Sequence, residues 1–249
     1  MCAVRCVGVA FATDMVPPAD NAEGFRPVAG QPRGLSPGEL AFLIGVPLLW
    51  AILLLFHPGG EGEEIYLDAQ DNVTPFLVVH IGMMLFIPLM AVGVYLLLRG
   101  VEGTAAWVSR IALVPFVVFY SAWEALQGIG VGILVNELKG LPQAQPALRE
   151  DLVQDFAEHP LIGPFGVFGS IGSLGLIVAM IAAGVALYRH AGAPVSVTVL
   201  LGISGLLITS HPPPYGPTGL ALFIVAVVLY VRSQSSDRAT APLRQPRSA

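Results

Sequence analysis

Charge is scarce in this sequence. Asp, Glu, Lys and Arg make up 12% of its 249 residues, about half the share of a soluble globular domain. Hydrophobic residues make up 55%, so a water-soluble bundle of this composition would be left with an apolar surface. Cysteine is nearly absent. Cys2 and Cys6 both lie close to the N-terminus and form neither a disulfide framework nor a metal-ligand pattern. There is no excess of positive charge, and the formal net charge of −5 argues against a nucleic-acid partner. A phosphate loop, a dinucleotide glycine fingerprint and a serine-elbow motif are all missing. Residues 6–12 are apolar and follow Arg5, but the run is short and lacks a small-x-small cleavage site, so removal of a leader is not expected. Met15 stands as an alternative start.

Long apolar runs are what the sequence has instead. They cover Leu40–Phe56, Pro75–Leu98, about Val108–Val135, Leu161–Tyr188, Pro194–Ser210 and about Tyr215–Val231. A bilayer core needs roughly 20 helical residues. Spans of about 17 to 25 residues are usual; five of these segments fit a crossing on that measure, and the last, whose bounds are approximate, is expected to be the short one. They are continuous rather than alternating, which excludes a β-barrel, and apolar on every face, which excludes a surface helix of a soluble protein. The expected fold is therefore an all-α, multi-pass transmembrane helix bundle with about six spans, residing in the cell membrane with the lipid bilayer as its main partner. Ser36, Pro37 and Glu39 form a capping-box signal with a proline at the first helical position.

The arginines give this bundle a direction. With six passes, Arg5, Arg26, Arg33, Arg99, Arg110, Arg189, Arg232, Arg238, Arg244 and Arg247 all fall on one side, and only Lys139 and Arg149 on the other. The positive-inside rule then places both termini in the cytoplasm. The expected organisation is a disordered tail over 1–38, a six-helix domain over 39–232 and a second disordered tail over 233–249. Two outer loops, 57–74 and 136–160, carry most of the acidic residues. Within the second loop, Pro146 opens a short amphipathic helix with Leu148, Leu152 and Phe156 on one face, suited to lying on the outer interface.

The dipeptide His-Pro occurs at His57-Pro58, His159-Pro160 and His211-Pro212, each at an outer turn in this topology. Proline forces the residue before it out of the α region, so each of these histidines sits at a helix end with its ring free to turn sideways. The last two share a longer pattern, His-Pro followed by Gly-Pro-x-Gly and an apolar helix. His80 lies about five residues into the second segment, roughly 8 Å below its start. His190 is the one histidine on the inner side. Glu124 is the single acidic residue inside an apolar segment, and Tyr120, Gln127 and Gly128 share its helix stripe. A carboxylate at that depth costs several kcal/mol, so it is expected to have a partner.

These residues point to a polar His/Glu cavity on the outer side. His57, His80, His159 and His211 are its candidate metal ligands, with Glu124 and Tyr120 as its candidate acid–base groups. Imidazole with carboxylate suits zinc, copper or non-haem iron. A non-covalent haem between His80 and His211 is the narrower version, since no CxxCH attachment motif is present. The same set could relay protons in redox or hydrolytic chemistry. Whether the protein is an enzyme is left open, because helix capping by each His-Pro turn accounts for the loop histidines equally well. A small transporter or channel, and an accessory membrane subunit without a site, are the other readings. The small residues Gly166, Gly169, Ser170, Gly172, Ser173 and Gly175 in the fourth segment mark a close-packing face, either central in the bundle or against another copy or a partner membrane subunit.

Overall fold

The computed structural model describes residues 34–58, 69–140 and 146–240. Cys2, Cys6, most of the expected N-terminal tail, the acidic stretch 61–68 and residues 241–249 lie outside the described residues. Every regular element among the described residues is helical. The helices are α1 (Pro37–Leu54), α2 (Val73–Leu97), α3 (Thr104–Lys139), α4 (Pro146–Ala157), α5 (Val167–His190), α6 (Val195–Thr209) and α7 (Tyr215–Thr240). The chain is thus an all-α helical bundle. Helices α1, α2, α3, α5 and α7 are each long and apolar enough to cross a membrane, while α6 is shorter.

The start of α1 follows its sequence. The Ser36 hydroxyl accepts from the Glu39 N–H, and the Glu39 carboxylate accepts from the Ser36 N–H at 2.8 Å. Glu39 also meets Arg99 at 2.6 Å, which ties the first turn of α1 to the end of α2. The last helix departs from expectation. The short segment is α6, with 15 residues, whereas α7 has 26 and runs on to Thr240, into the stretch 233–249 expected as a tail. Polar residues such as Ser233 and Gln234 end an apolar run but do not break a helix, and the sequence holds no Gly or Pro between Gly219 and Pro242.

Six helices form a ring. Helix α1 packs on α2, α2 on α3, α3 on α5, α5 on α6 and α6 on α7, and α7 closes the ring against α1. The core inside it is built from large side chains such as Trp50, Met83, Ile87, Phe116, Tyr120, Met180 and Phe223, all fully buried. The outside is apolar as well, with Leu49, Leu85, Ile111, Leu174, Val199 and Leu206 exposed. That is the pattern of a bundle whose solvent is hydrocarbon. Helix α4 stands apart. Val153 and Ala157 anchor it on Val131, Val135 and Leu138 of α3, while Leu148, Leu152 and Phe156 stay exposed on the face expected to be apolar.

Helix α3 carries two stretches of π-helix, Phe116–Tyr120 directly after Pro115 and Glu124–Gly130. Residues four apart drift by about 40° around a straight α-helix. The wider i→i+5 turns offset that drift, and Tyr120, Glu124 and Gly128 all stay on the interior. Helix α5 presses on this segment. A side chain on Gly172 would collide with the Tyr120 backbone, and one on Gly175 with Phe116. The stripe of small residues is therefore an internal contact that places α5 within the ring.

Candidate metal centre

The turns after α1 and α6 and the first turns of α2 meet at one end of the ring, beside the middle of α3. His57 lies just past α1, where its Nδ1–H donates to the Pro58 carbonyl at 2.7 Å. This bond leaves Nε2 as the lone-pair nitrogen, and Nε2 is buried without a hydrogen-bond partner. His80, in α2, repeats the arrangement. Its Nδ1–H donates to the Phe76 carbonyl one turn earlier at 2.7 Å, so its Nε2 faces inward. Such a backbone bond fixes tautomer and ring orientation, as it does for metal-binding histidines in general. His211 follows α6, with its Nδ1 3.5 Å from the Tyr120 hydroxyl. The ring centroids of His57 lie 5.0 Å from those of both His80 and His211, which are themselves 5.8 Å apart. One nitrogen from each ring lies within 4.8 Å of the other two.

Glu124 reaches the same point from α3. It is 1% exposed. Its Oε2 lies 3.9 Å from His80 Nε2, and its Oε1 lies 3.7 Å from His211 Nδ1. Neither oxygen has a hydrogen-bond partner. The Tyr120 hydroxyl donates to the Thr209 carbonyl at 3.2 Å, which fixes the end of α6 and the His211 turn against α3. Burial lowers the pKa of His57, and the Pro58 bond offsets part of that. Burial, with the fields of His57 and His80 behind it, holds His211 well below its ordinary value. Both are therefore neutral at pH 7, the form in which a ring nitrogen can be a ligand.

Of the sequence candidates, His57, His80, His211, Glu124 and Tyr120 come together. His159 does not. It is exposed, and its Nδ1 accepts from the Leu161 N–H at 3.3 Å, a turn-capping role. The reason lies in α3, which continues past Glu124 to Lys139, so the long connection to α5 leaves and returns beyond the cluster. Trp123 holds the returning turn, donating from Nε1 to the Ile162 carbonyl at 2.7 Å, and its ring meets His211 edge-on at 5.5 Å. Neither Trp123 nor Phe76, whose ring lies 4.2 Å from that of His80, carries a spacing signal in the sequence. Gly128 shares the stripe of Glu124, but its role emerges only in three dimensions. A Cβ there would overlap the His80 ring, so glycine is what lets that ring lie against α3.

Comparison with protein-family models, with curated proteins and with solved structures returns no match for this chain.

Proposed function

We propose that this is a six-pass membrane protein that binds one divalent transition-metal ion through His57, His80 and His211, with the Glu124 carboxylate as fourth ligand or as base beside the ion. The observation that supports it most is the set of orphaned acceptors. Buried polar atoms are almost always hydrogen-bonded, yet His57 Nε2 and both Glu124 oxygens are buried without a partner where three ring nitrogens converge. A cation satisfies all of them at once. Zinc–nitrogen bonds of about 2.0–2.1 Å in a tetrahedron put ligand atoms roughly 3.4 Å apart, so each side chain need move inward by only about 1 Å. Three imidazoles and a carboxylate suit zinc, iron or copper.

A single ion fits better than haem. His57 is equidistant from His80 and His211 and so lies in the plane that a porphyrin held between those two would have to occupy. A transport pathway has less support. Below the cluster, the buried hydroxyls of Ser109 and Ser204 each donate to a backbone carbonyl, and the rest of the buried set among the described residues is aliphatic or aromatic. The site is a buried cluster at one end of the ring, suited to metal-assisted hydrolytic or redox chemistry. The clustering of arginines toward the other end supports a non-cytoplasmic location for the cluster under the positive-inside rule.

Metal analysis of the purified full chain tests the proposal. A divalent ion near one per chain is expected, with loss of that ion in His80→Ala and His211→Ala. If no metal co-purifies, and those variants leave the affinity for added zinc unchanged, the proposal is wrong.

A further inference from the structure

The end of the ring opposite the histidines carries a second feature. Arg110 sits inside α3 but turns back toward the α2–α3 connection, its Nη2 donating to the Leu98 and Val101 carbonyls at 2.9 Å each. Its guanidinium lies 5.9 Å from the Tyr95 ring and 5.6 Å from the Trp107 ring. A snorkelling arginine between two exposed aromatics marks the level of a membrane interface. Thr104 and Arg189 lie at this same end, since a side chain on Gly103 would meet the His190 ring.

From that level a groove of about 390 Å³ runs between α3 and α5, walled by Ala105, Val108, Val178, Ile181 and Val185, with Thr104 and Arg189 at its mouth. From residue 189 to residue 178 the α5 wall falls by about 16 Å at 1.5 Å per residue, toward the middle of the bundle. The floor is apolar and the mouth is cationic. No side chain caps the first turn of α3, so its leading N–H groups add positive potential at the mouth. An opposing charge among the described residues is Glu102, exposed in the adjoining cleft with Trp107 and Arg110. Hydrocarbon depth below a cation at headgroup level matches the two ends of one ligand class.

We propose that this groove is a binding site for an anionic phospholipid, with one acyl chain between α3 and α5 and the phosphate against Arg189 and the start of α3. The site is independent of the metal centre. The test uses full-length protein in detergent, offered equal amounts of phosphatidylglycerol and phosphatidylcholine, with retained lipid counted by native mass spectrometry. Phosphatidylglycerol should be retained about fivefold over phosphatidylcholine, the factor that one arginine near an anionic lipid surface provides. Arg189→Ala and Arg189→Gln should bring the ratio to about one, since that term is removed, and Arg189→Lys should keep it. Val185→Phe, which fills the groove, should lower retention of both lipids. Circular dichroism identifies folded variants. Equal retention of the two lipids by the unaltered protein would overturn the proposal, as would an unchanged ratio in folded Arg189→Ala and Arg189→Gln. Displacement of the lipid by inorganic phosphate alone would also overturn it in favour of a free-anion site.

Discussion

At the scale of single residues, the Glu124 carboxylate and the ring nitrogens around it carry the functional reading, and each can be tested alone. Glu124→Gln keeps the shape of the side chain and removes its charge. Zinc affinity, measured by competition with a chelator, should fall more than tenfold, because loss even of an outer-shell partner costs 10- to 100-fold. A protein with no metal site would show no change beyond stability. Gly128→Ala leaves every candidate ligand in place but adds a Cβ where the His80 ring lies. It should lower zinc affinity and cost about 1–3 kcal/mol of stability, the usual range for overpacking. The first effect is read by the same competition assay and the second by thermal melting in detergent. Glu124 was legible in the sequence because it is the lone acid of an apolar run. The failure of His159 to join was not, since three His-Pro dipeptides look alike until the connection following α3 is seen to return outside the cluster.

The elements place those residues, and here the sequence was informative about spans and silent about helix type. The capping box at Ser36 predicted where α1 begins, and the stripe of small residues predicted a close helix contact. That contact is now assigned to α3, where Gly172 and Gly175 face the Tyr120 and Phe116 backbone. Replacing Gly175 with Ala should destabilise the folded protein by about 1–3 kcal/mol through overpacking, read as a lower melting temperature, although this side of α5 supplies no candidate ligand. The π-helical turns of α3 left no mark in the pattern. Pro115 announces an interruption, but whether a helix kinks or widens is decided by what packs against it. The extension of α7 to Thr240 was missed for a different reason. Hydropathy reports where hydrocarbon contact ends, whereas helix termination depends on Gly, Pro and caps.

For the whole molecule, composition pointed to a membrane protein, because no arrangement of so few charges covers a soluble surface, and the continuity of the apolar runs pointed to helices. The closure of the ring by α7 on α1 was beyond reach, since periodicity is nearly uniform around these helices and does not say which face meets which neighbour. The pH response belongs at this scale. His57 and His211 both have pKa values below the ordinary 6.5, so in the window just under 6.5 the unfolded chain binds more protons than the native one. Stability is then fully present above that value and declines as pH falls through it. Melting temperatures of metal-stripped protein should be level between about pH 7 and 8 and drop below about 6.5. Zinc affinity should weaken over the same range, since the ring nitrogens must be unprotonated to bind.

The shortness of α6 has a consequence for the membrane itself. Fifteen residues span about 22 Å, against roughly 30 Å of hydrocarbon. Hydrophobic mismatch of that size is relieved by local thinning of the bilayer. The His211 turn would lie at the bottom of the resulting dimple, so water could reach the buried histidine cluster from one side without any channel through the protein.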